Sequence, residues 1–429
     1  MTTQKQGETR FAPAPAVVIA LAGVLALIVG VAVIPGNVAS HIDAVTLLLP
    51  LAILCLAPLV RVRGFGDLPF APLGLCAALF LLWALLGMLL VVSERLALLT
   101  WMRYASYFLL IALVSVLAST RSARRIVYGA LCGVGVFLSV YGLAQYFDPA
   151  RPAATFAAGA VAQRVFSTMG GPNILALALL CTITATAALF FDINDKWRYG
   201  LIVAALLQIT VLYLTYSRAC LAAFIIGVLV AVCLVNWKAL IPAGLLCLGS
   251  LAVIPGVFTR LAQLFTLDAS NEGRLAIWHG ALKATLKRPF FGGGMIRVAQ
   301  SRLPLSAELY PGYFKNNAHN SYLQMGAETG VIGALLFIAA LWSIVGLGFA
   351  LCRRVKDDLS RRLQAAILTG GLVAFLIGDL AEGALQQPRA AVYFLLLAAL
   401  LIGLGAGLWR PRRDYYSSSR ILRWLVKHE

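Results

Sequence analysis

The chain has 429 residues, 61% of them hydrophobic and only 12% charged, with a mean hydropathy of +0.89. Globular domains carry roughly 25% charged residues, so this balance excludes an ordinary soluble enzyme and points to a polytopic membrane protein. A net charge of +18 would suit nucleic acid, but the basic residues collect in alternate short loops, the positive-inside pattern of membrane chains, and no nucleic-acid partner is expected.

Apolar runs of about 20 residues, enough to cross ~30 Å of hydrocarbon, recur along the sequence. About twelve spans are predicted, near 15–35, 45–60, 70–92, 96–119, 126–147, 172–191, 199–216, 219–235, 238–254, 330–351, 363–383 and 391–409. The first follows only Lys5 and Arg10 and lacks a small-residue cleavage site, so it is expected to be a retained span. The predicted fold class is an all-α polytopic membrane protein, one membrane domain over 1–429. It has about 12 transmembrane helices and one large periplasmic insertion, 255–328, between spans nine and ten.

Orientation follows from the basic loops. Arg61, Arg121, Arg124, Arg125, Lys196, Lys238, Arg353 and Arg361 fall on one side with the basic tail 410–429, which places both termini in the cytoplasm. The insertion then faces outward with Arg164, Arg218 and Arg389. Its basic residues do not break the rule, because long loops translocate largely regardless of charge. In the tail, Ile421, Leu422, Trp424 and Leu425 beside Arg420, Arg423 and Lys427 suit a short interfacial helix. The eight cysteines fall within or at the ends of spans, without a disulfide framework or metal-ligand spacing. Asp192 and Asp195 are suggestive acids, but on the cytoplasmic side.

Inside the insertion, Asp268, Ser270, Asn271 and Glu272 supply capping and acidic first-turn chemistry for a helix from about Asn271 to Lys287. Pro289 and the glycines 292–294 end it. Trp278, Ala281, Leu282 and Thr285 share one face and Lys283 and Lys287 another, so the helix is amphipathic and expected along the membrane surface. The stretch 302–315, with Pro304, Pro311, Tyr310 and Tyr313, is expected to be an irregular lid.

Several polar residues stand out in this apolar chain. Arg218, in the only break between two apolar runs, reads either as an arginine snorkelling to the interface or as an anion-binding group at headgroup depth. Arg274 falls in the first turn of the predicted insertion helix, where a cation opposes the helix dipole unless an anion sits nearby. A local pair with Asp268 or Glu272 is the alternative. His319 follows Asn316 and Asn317 and precedes Asn320 and Ser321 at the entrance of span ten. Either of the last two can cap that helix alone, which leaves the histidine as a candidate general base with an ordinary pKa of ~6.5. Gln324 and Glu328, further along, read as buried polar partners. Asp379 and Glu382 are expensive in lipid and are expected to face the interior, paired with Arg389 or Arg103.

The order of these pieces resembles one family. Tyr216-Ser217-Arg218-Ala219, Asn271-Glu272-Gly273-Arg274 with Trp278, Pro289-Phe290-Phe291-Gly292-Gly293-Gly294, His319-Asn320-Ser321-Tyr322-Leu323-Gln324 and Glu328-x-Gly330 follow one another as in the O-antigen ligase (WaaL) family, within the wider group that includes O-antigen polymerases. The match runs from Gly171-Pro172-Asn173 to about Gly333. The resemblance implies a glycosyltransferase of the bacterial inner membrane that moves O-antigen from undecaprenyl diphosphate to lipid A-core oligosaccharide on the periplasmic face, without metal or cofactor. It implies roles for Arg218 and Arg274 as the essential arginines and His319 as the essential histidine, with Arg288, Asn320, Tyr322 and Arg389 as substrate-binding neighbours. An O-antigen polymerase, a protein O-oligosaccharyltransferase and, from another class, a lipid-linked oligosaccharide flippase remain the alternatives. A flippase would hold its substrate near the bilayer midplane rather than at the outer interface.

Overall fold

A computed structural model describes residues 15–33, 71–91, 95–148, 154–155, 161–162, 164–253, 269–295 and 318–408. The predicted span at 45–60, the lid at 302–315, Asp268, Asn316, Asn317 and the basic tail lie outside the described residues. The architecture is all-α and polytopic, as composition requires. The helices are α1 (Pro15–Val33), α2 (Ala71–Val91), α3 (Arg95–Leu117), α4 (Arg121–Tyr146), α5 (Pro172–Asp192) and α6 (Arg198–Leu214). They continue with α7 (Arg218–Val235), α8 (Leu240–Val253), α9 (Ala269–Lys287), α10 (Ser321–Arg354), α11 (Leu359–Gly378) and α12 (Pro388–Leu404). A two-residue antiparallel pair, Ala154–Thr155 with Val161–Ala162, interrupts the stretch between α4 and α5.

Eleven of the predicted spans coincide with a described helix. Among the described residues, seven helices have the length and hydropathy to cross a membrane, and α1, α6 and α12 are shorter apolar helices. The 14 residues of α8 rise only about 21 Å, less than a bilayer core. Helices α5 and α12 form the centre. Every residue of α12 is buried, as is most of α5, so their apolar residues show no polar face. Around them, α7 and α11 approach until a Cβ on Gly227 would lie 2.5 Å from the Gly370 carbonyl oxygen, the small-residue contact that helices use where burial from water cannot drive them together.

The alternate loops gather at two ends of the bundle. At one, Arg121 and Arg125 hold Asp192, Arg362 reaches the carbonyl oxygens of Leu234 and Val235, and Arg354 that of Leu408. This basic end contains, among the described residues, loops that the charge count groups together. The other end contains the starts of α5, α7, α10 and α12.

Helix α10 is not one straight span. Tyr322 bonds the Leu376 carbonyl and Gly348 packs against Thr369. A straight helix would separate Tyr322 and Gly348 by about 39 Å, whereas their contacts on α11 are only about 10 Å apart. The bend is at Gly330, whose φ of 75° and ψ of −178° leave the helical region. Ser321 to Thr329 therefore form a separate entrance helix, and the longer part of α10 starts at this bend.

The bend is also where the insertion docks. The turn after α9 sends the Gly293 and Gly294 N–H groups to the carbonyls of Ala327 and Glu328 at 2.7 and 3.0 Å, while Val331 N–H donates to Pro289 at 2.7 Å. Trp83 of α2 stacks on Phe291 and donates to the Thr329 carbonyl at 3.1 Å. Gly292 (φ 67°) and Gly330 are both left-handed, and a Cβ on either would lie within about 2.6 Å of the opposing backbone. The glycine triplet thus clamps two backbones together.

Candidate active site

The break between α6 and α7 is a three-residue reversal. The Thr215 N–H donates to the Val211 carbonyl at 3.0 Å and its hydroxyl to Leu212 at 2.7 Å, while Ser217 N–H donates back to the Thr215 hydroxyl oxygen at 3.2 Å. Tyr216 takes a left-handed φ of 52° to complete it. Arg218 is consequently the first residue of α7, among N–H groups with no intrahelical acceptor and at the positive end of the dipole. The dipole argument belongs here rather than at Arg274. Because α9 starts at Ala269, two residues before the predicted start, Arg274 lies in its second turn, where the terminal field has largely faded.

The stretch before α5 is fastened to this reversal. Arg164 donates through Nε to the Thr215 carbonyl at 2.9 Å and through Nη2 to Asn173 Oδ1 at 3.0 Å. Asn173 Nδ2 in turn donates to Glu382 Oε2 at 2.7 Å, so one carboxamide joins a guanidinium to a carboxylate from the far end of the sequence. The structure thereby ties Arg164 and Glu382 to the reversal that carries Arg218.

At the start of α10, one of the two expected capping residues takes the cap. Asn320 is the N-cap, its Oδ1 accepting from the N–H groups of Tyr322 and Leu323, each at 3.0 Å. Gln324 accepts from Ala318 N–H at 2.9 Å and donates to Glu328 at 2.6 Å. His319 itself is half-buried and held at a left-handed φ of 48°. Ser321 donates to Asp379 Oδ1 at 3.1 Å, and the same oxygen accepts from the Leu385 N–H at 3.2 Å and from the Ala384 N–H. Asp379 is thus held by a hydroxyl and a turn of backbone. The turn it organises continues to Glu382 and so joins the entrance of α10 to the arginine cluster.

The remaining predicted residues fall into different places. Arg389, 7% exposed, donates to the Thr168 carbonyl at 2.7 Å, next to Ser167, another left-handed residue. Tyr322 commits its hydroxyl to Leu376 at 3.0 Å, and Asn320 its oxygen to the cap. Arg288 is exposed just past the end of α9, fourteen residues or about 21 Å along the helix from Arg274, and is not brought to this cluster. The buried stripe of α9 is Ile277, Ala281 and Thr285, packed on Ala318, Leu323 and Gly326. Leu282, expected on that same face, is instead exposed with Leu275 and Leu286, because it lies about 100° around the helix from Ala281.

Arg164, Asn173 and Glu382 are the residues that sequence reasoning passed over for the site. Asn173 stood in the Gly-Pro-Asn motif and Arg164 among the outward arginines, but their pairing spans 209 positions between Asn173 and Glu382. All three described left-handed residues other than glycine, Ser167, Tyr216 and His319, lie at this end of the bundle. Backbone held in such conformations concentrates at functional sites. Arg218, at a helix start beside this thread, is suited to an anion. Among the described residues, no group of three or more His, Cys, Asp or Glu side chains is placed to hold a metal ion.

None of the curated proteins matches the chain. A solved structure titled "Structural coordination of polymerization and crosslinking by a peptidoglycan synthase complex" is similar at 17% identity and a TM-score of 0.39, covering 77% of this chain and 96% of that one, a likeness too loose to argue from. Residues 203–338, which include Arg218, Arg274 and His319, match the family model described as O-antigen ligase (Wzy_C). The match covers about a third of the chain and takes in the Arg218 turn, α9 and the entrance of α10.

Proposed function

We propose that this protein is an O-antigen ligase of the bacterial inner membrane. It transfers O-antigen polysaccharide from undecaprenyl diphosphate to lipid A-core oligosaccharide on the periplasmic face. The observation that carries this reading is the thread from Arg164 through Asn173 to Glu382 at the reversal that carries Arg218, with the entrance of α10 tied through Asp379 to the turn that holds Glu382. The basic end would then face the cytoplasm, with both termini.

In the proposed reaction, His319 accepts the proton of the acceptor hydroxyl as its oxygen attacks the anomeric carbon of the donor sugar from the face opposite the diphosphate. The new glycosidic bond forms as the bond to the diphosphate oxygen breaks, and the configuration inverts. The electron pair leaves with undecaprenyl diphosphate. Arg218, at a helix N-terminus, and Arg274 take up the growing negative charge, so the scheme assigns no step to a metal or cofactor. The proton passes from His319 to water or to the departing diphosphate, which resets the base.

Reconstituted transfer tests this reading, using undecaprenyl-diphosphate O-antigen, purified lipid A-core and the protein in proteoliposomes, with and without chelator. Transfer that survives chelation supports it; loss on chelation that added metal restores overturns the metal-free scheme. Deletion in cells separates ligase from polymerase. A missing ligase leaves lipid A-core bare, and a missing polymerase leaves it capped by one repeat.

A further inference from the structure

The basic end of the bundle contains a second cluster that the proposed reaction does not use. A cavity of about 230 Å³ opens between the starts of α4 and α11 and the end of α5. At ~30 Å³ per water it has room for a phosphate group and its immediate substituent. Arg121, Arg124 and Arg361 line it with Asp192 and Asp358.

The charges already committed there leave a surplus. Asp192, 3% exposed, is neutralised by Arg121 at 3.1 Å and by Arg125, and also accepts from Gln364 at 3.2 Å. Asp358 caps α11 and pairs with Arg361 at 3.3 Å. Four guanidiniums against two carboxylates leave a local sum of +2. Arg124 has no carboxylate of its own. It is 5% exposed and donates through Nη1 to the carbonyls of Ala118 and Ser119, while its buried Nε has no partner. Gln364 Oε1, also buried, lacks a donor. The unpaired N–H calls for an acceptor and the unpaired oxygen for a hydroxyl or ammonium. The N-termini of α4 and α11 add two positive dipole ends to the same space.

We propose that this cavity is a binding site for a phosphate group at the face of the membrane opposite the candidate active site, carried either by an anionic phospholipid headgroup or by free phosphate. The two rim arginines, Arg121 and Arg361, hold the phosphate oxygens, with the charge of Arg124 beside them. This proposal is independent of the assignment of the active site.

Native mass spectrometry of the full chain in detergent tests it, with phosphatidylglycerol, phosphatidylcholine and inorganic phosphate as probes. One phosphatidylglycerol per chain is expected to bind at least tenfold more tightly than phosphatidylcholine. Arg121→Gln and Arg361→Gln should each weaken it about fivefold, and the same substitution at Lys238, exposed at the same end but outside the cavity, should not. Both arginine variants are at the rim, so they report even if Arg124→Gln fails to fold. Displacement of the lipid by millimolar inorganic phosphate identifies free phosphate as the carrier, and resistance identifies the lipid. Equal binding of the two lipids without phosphate binding, or equal losses for Lys238→Gln and the arginine variants, overturns the site.

Discussion

Replacing Gly330 by alanine tests the joint on which the placement of α9 depends. Its φ of 75° and ψ of −178° lie in a region that only glycine adopts readily, costing of order 1–3 kcal/mol for another residue. The new methyl would also stand 2.5 Å from the Pro289 carbonyl oxygen and nearer still to that of Phe290. Relieving that overlap costs about 1–3 kcal/mol and pulls on the bond from Val331 N–H to Pro289. The sum is about 4 kcal/mol, concentrated where the insertion meets α10. Gly129→Ala in α4 is the control: its Cβ meets nothing within 4 Å, and a helical Gly→Ala exchange is stabilising by up to ~1 kcal/mol. Both variants would be purified in detergent and unfolded by titration with SDS, with glycosyl transfer measured in parallel. A lowered midpoint and lost transfer are expected for Gly330→Ala alone. Equal midpoints for the two variants would refute the account of the joint.

At His319, Asn tolerates the left-handed backbone but is a poor base, so His319→Asn should abolish transfer and leave the unfolding midpoint unchanged. His319→Val should also lower the midpoint, since a β-branched residue is strained there. Arg218→Lys keeps the charge but loses the planar fork, and donor affinity in the transfer assay should fall at least tenfold. Asn173→Leu removes both bonds that join Arg164 to Glu382, costing about 2–3 kcal/mol in SDS unfolding, whereas Glu382→Gln retains an acceptor for Asn173 and should cost less. Asn320→Ala loses the cap of α10 and about 1 kcal/mol, with transfer reduced through the displaced His319 rather than through lost substrate contact. An unchanged midpoint would deny that the cap is used.

The membrane class, the helical fold and the positions of most described helices were legible in the amino-acid order, because hydropathy over about 20 residues is a local property and the bilayer enforces it. Alternating loop charge grouped the loops into two sets, and among the described residues the structure brings members of the basic set together. His319 and Arg218 were visible because a polar residue at a helix start in such a chain has few reasons to be there. The bend of α10, the buried side of α9 and the thread from Arg164 through Asn173 to Glu382 were not legible. Each depends on which distant segment lies opposite: Gly330 reads as an ordinary helical glycine until Pro289 and Phe290 are set against it, and Leu282 reads as core until α10 meets Ile277, Ala281 and Thr285 instead. Sequence by itself determined what crosses the membrane and where its polar exceptions fall. Only the tertiary structure decided which exceptions meet, because hydrogen bonds and steric fit between residues hundreds of positions apart leave no periodic trace in the chain.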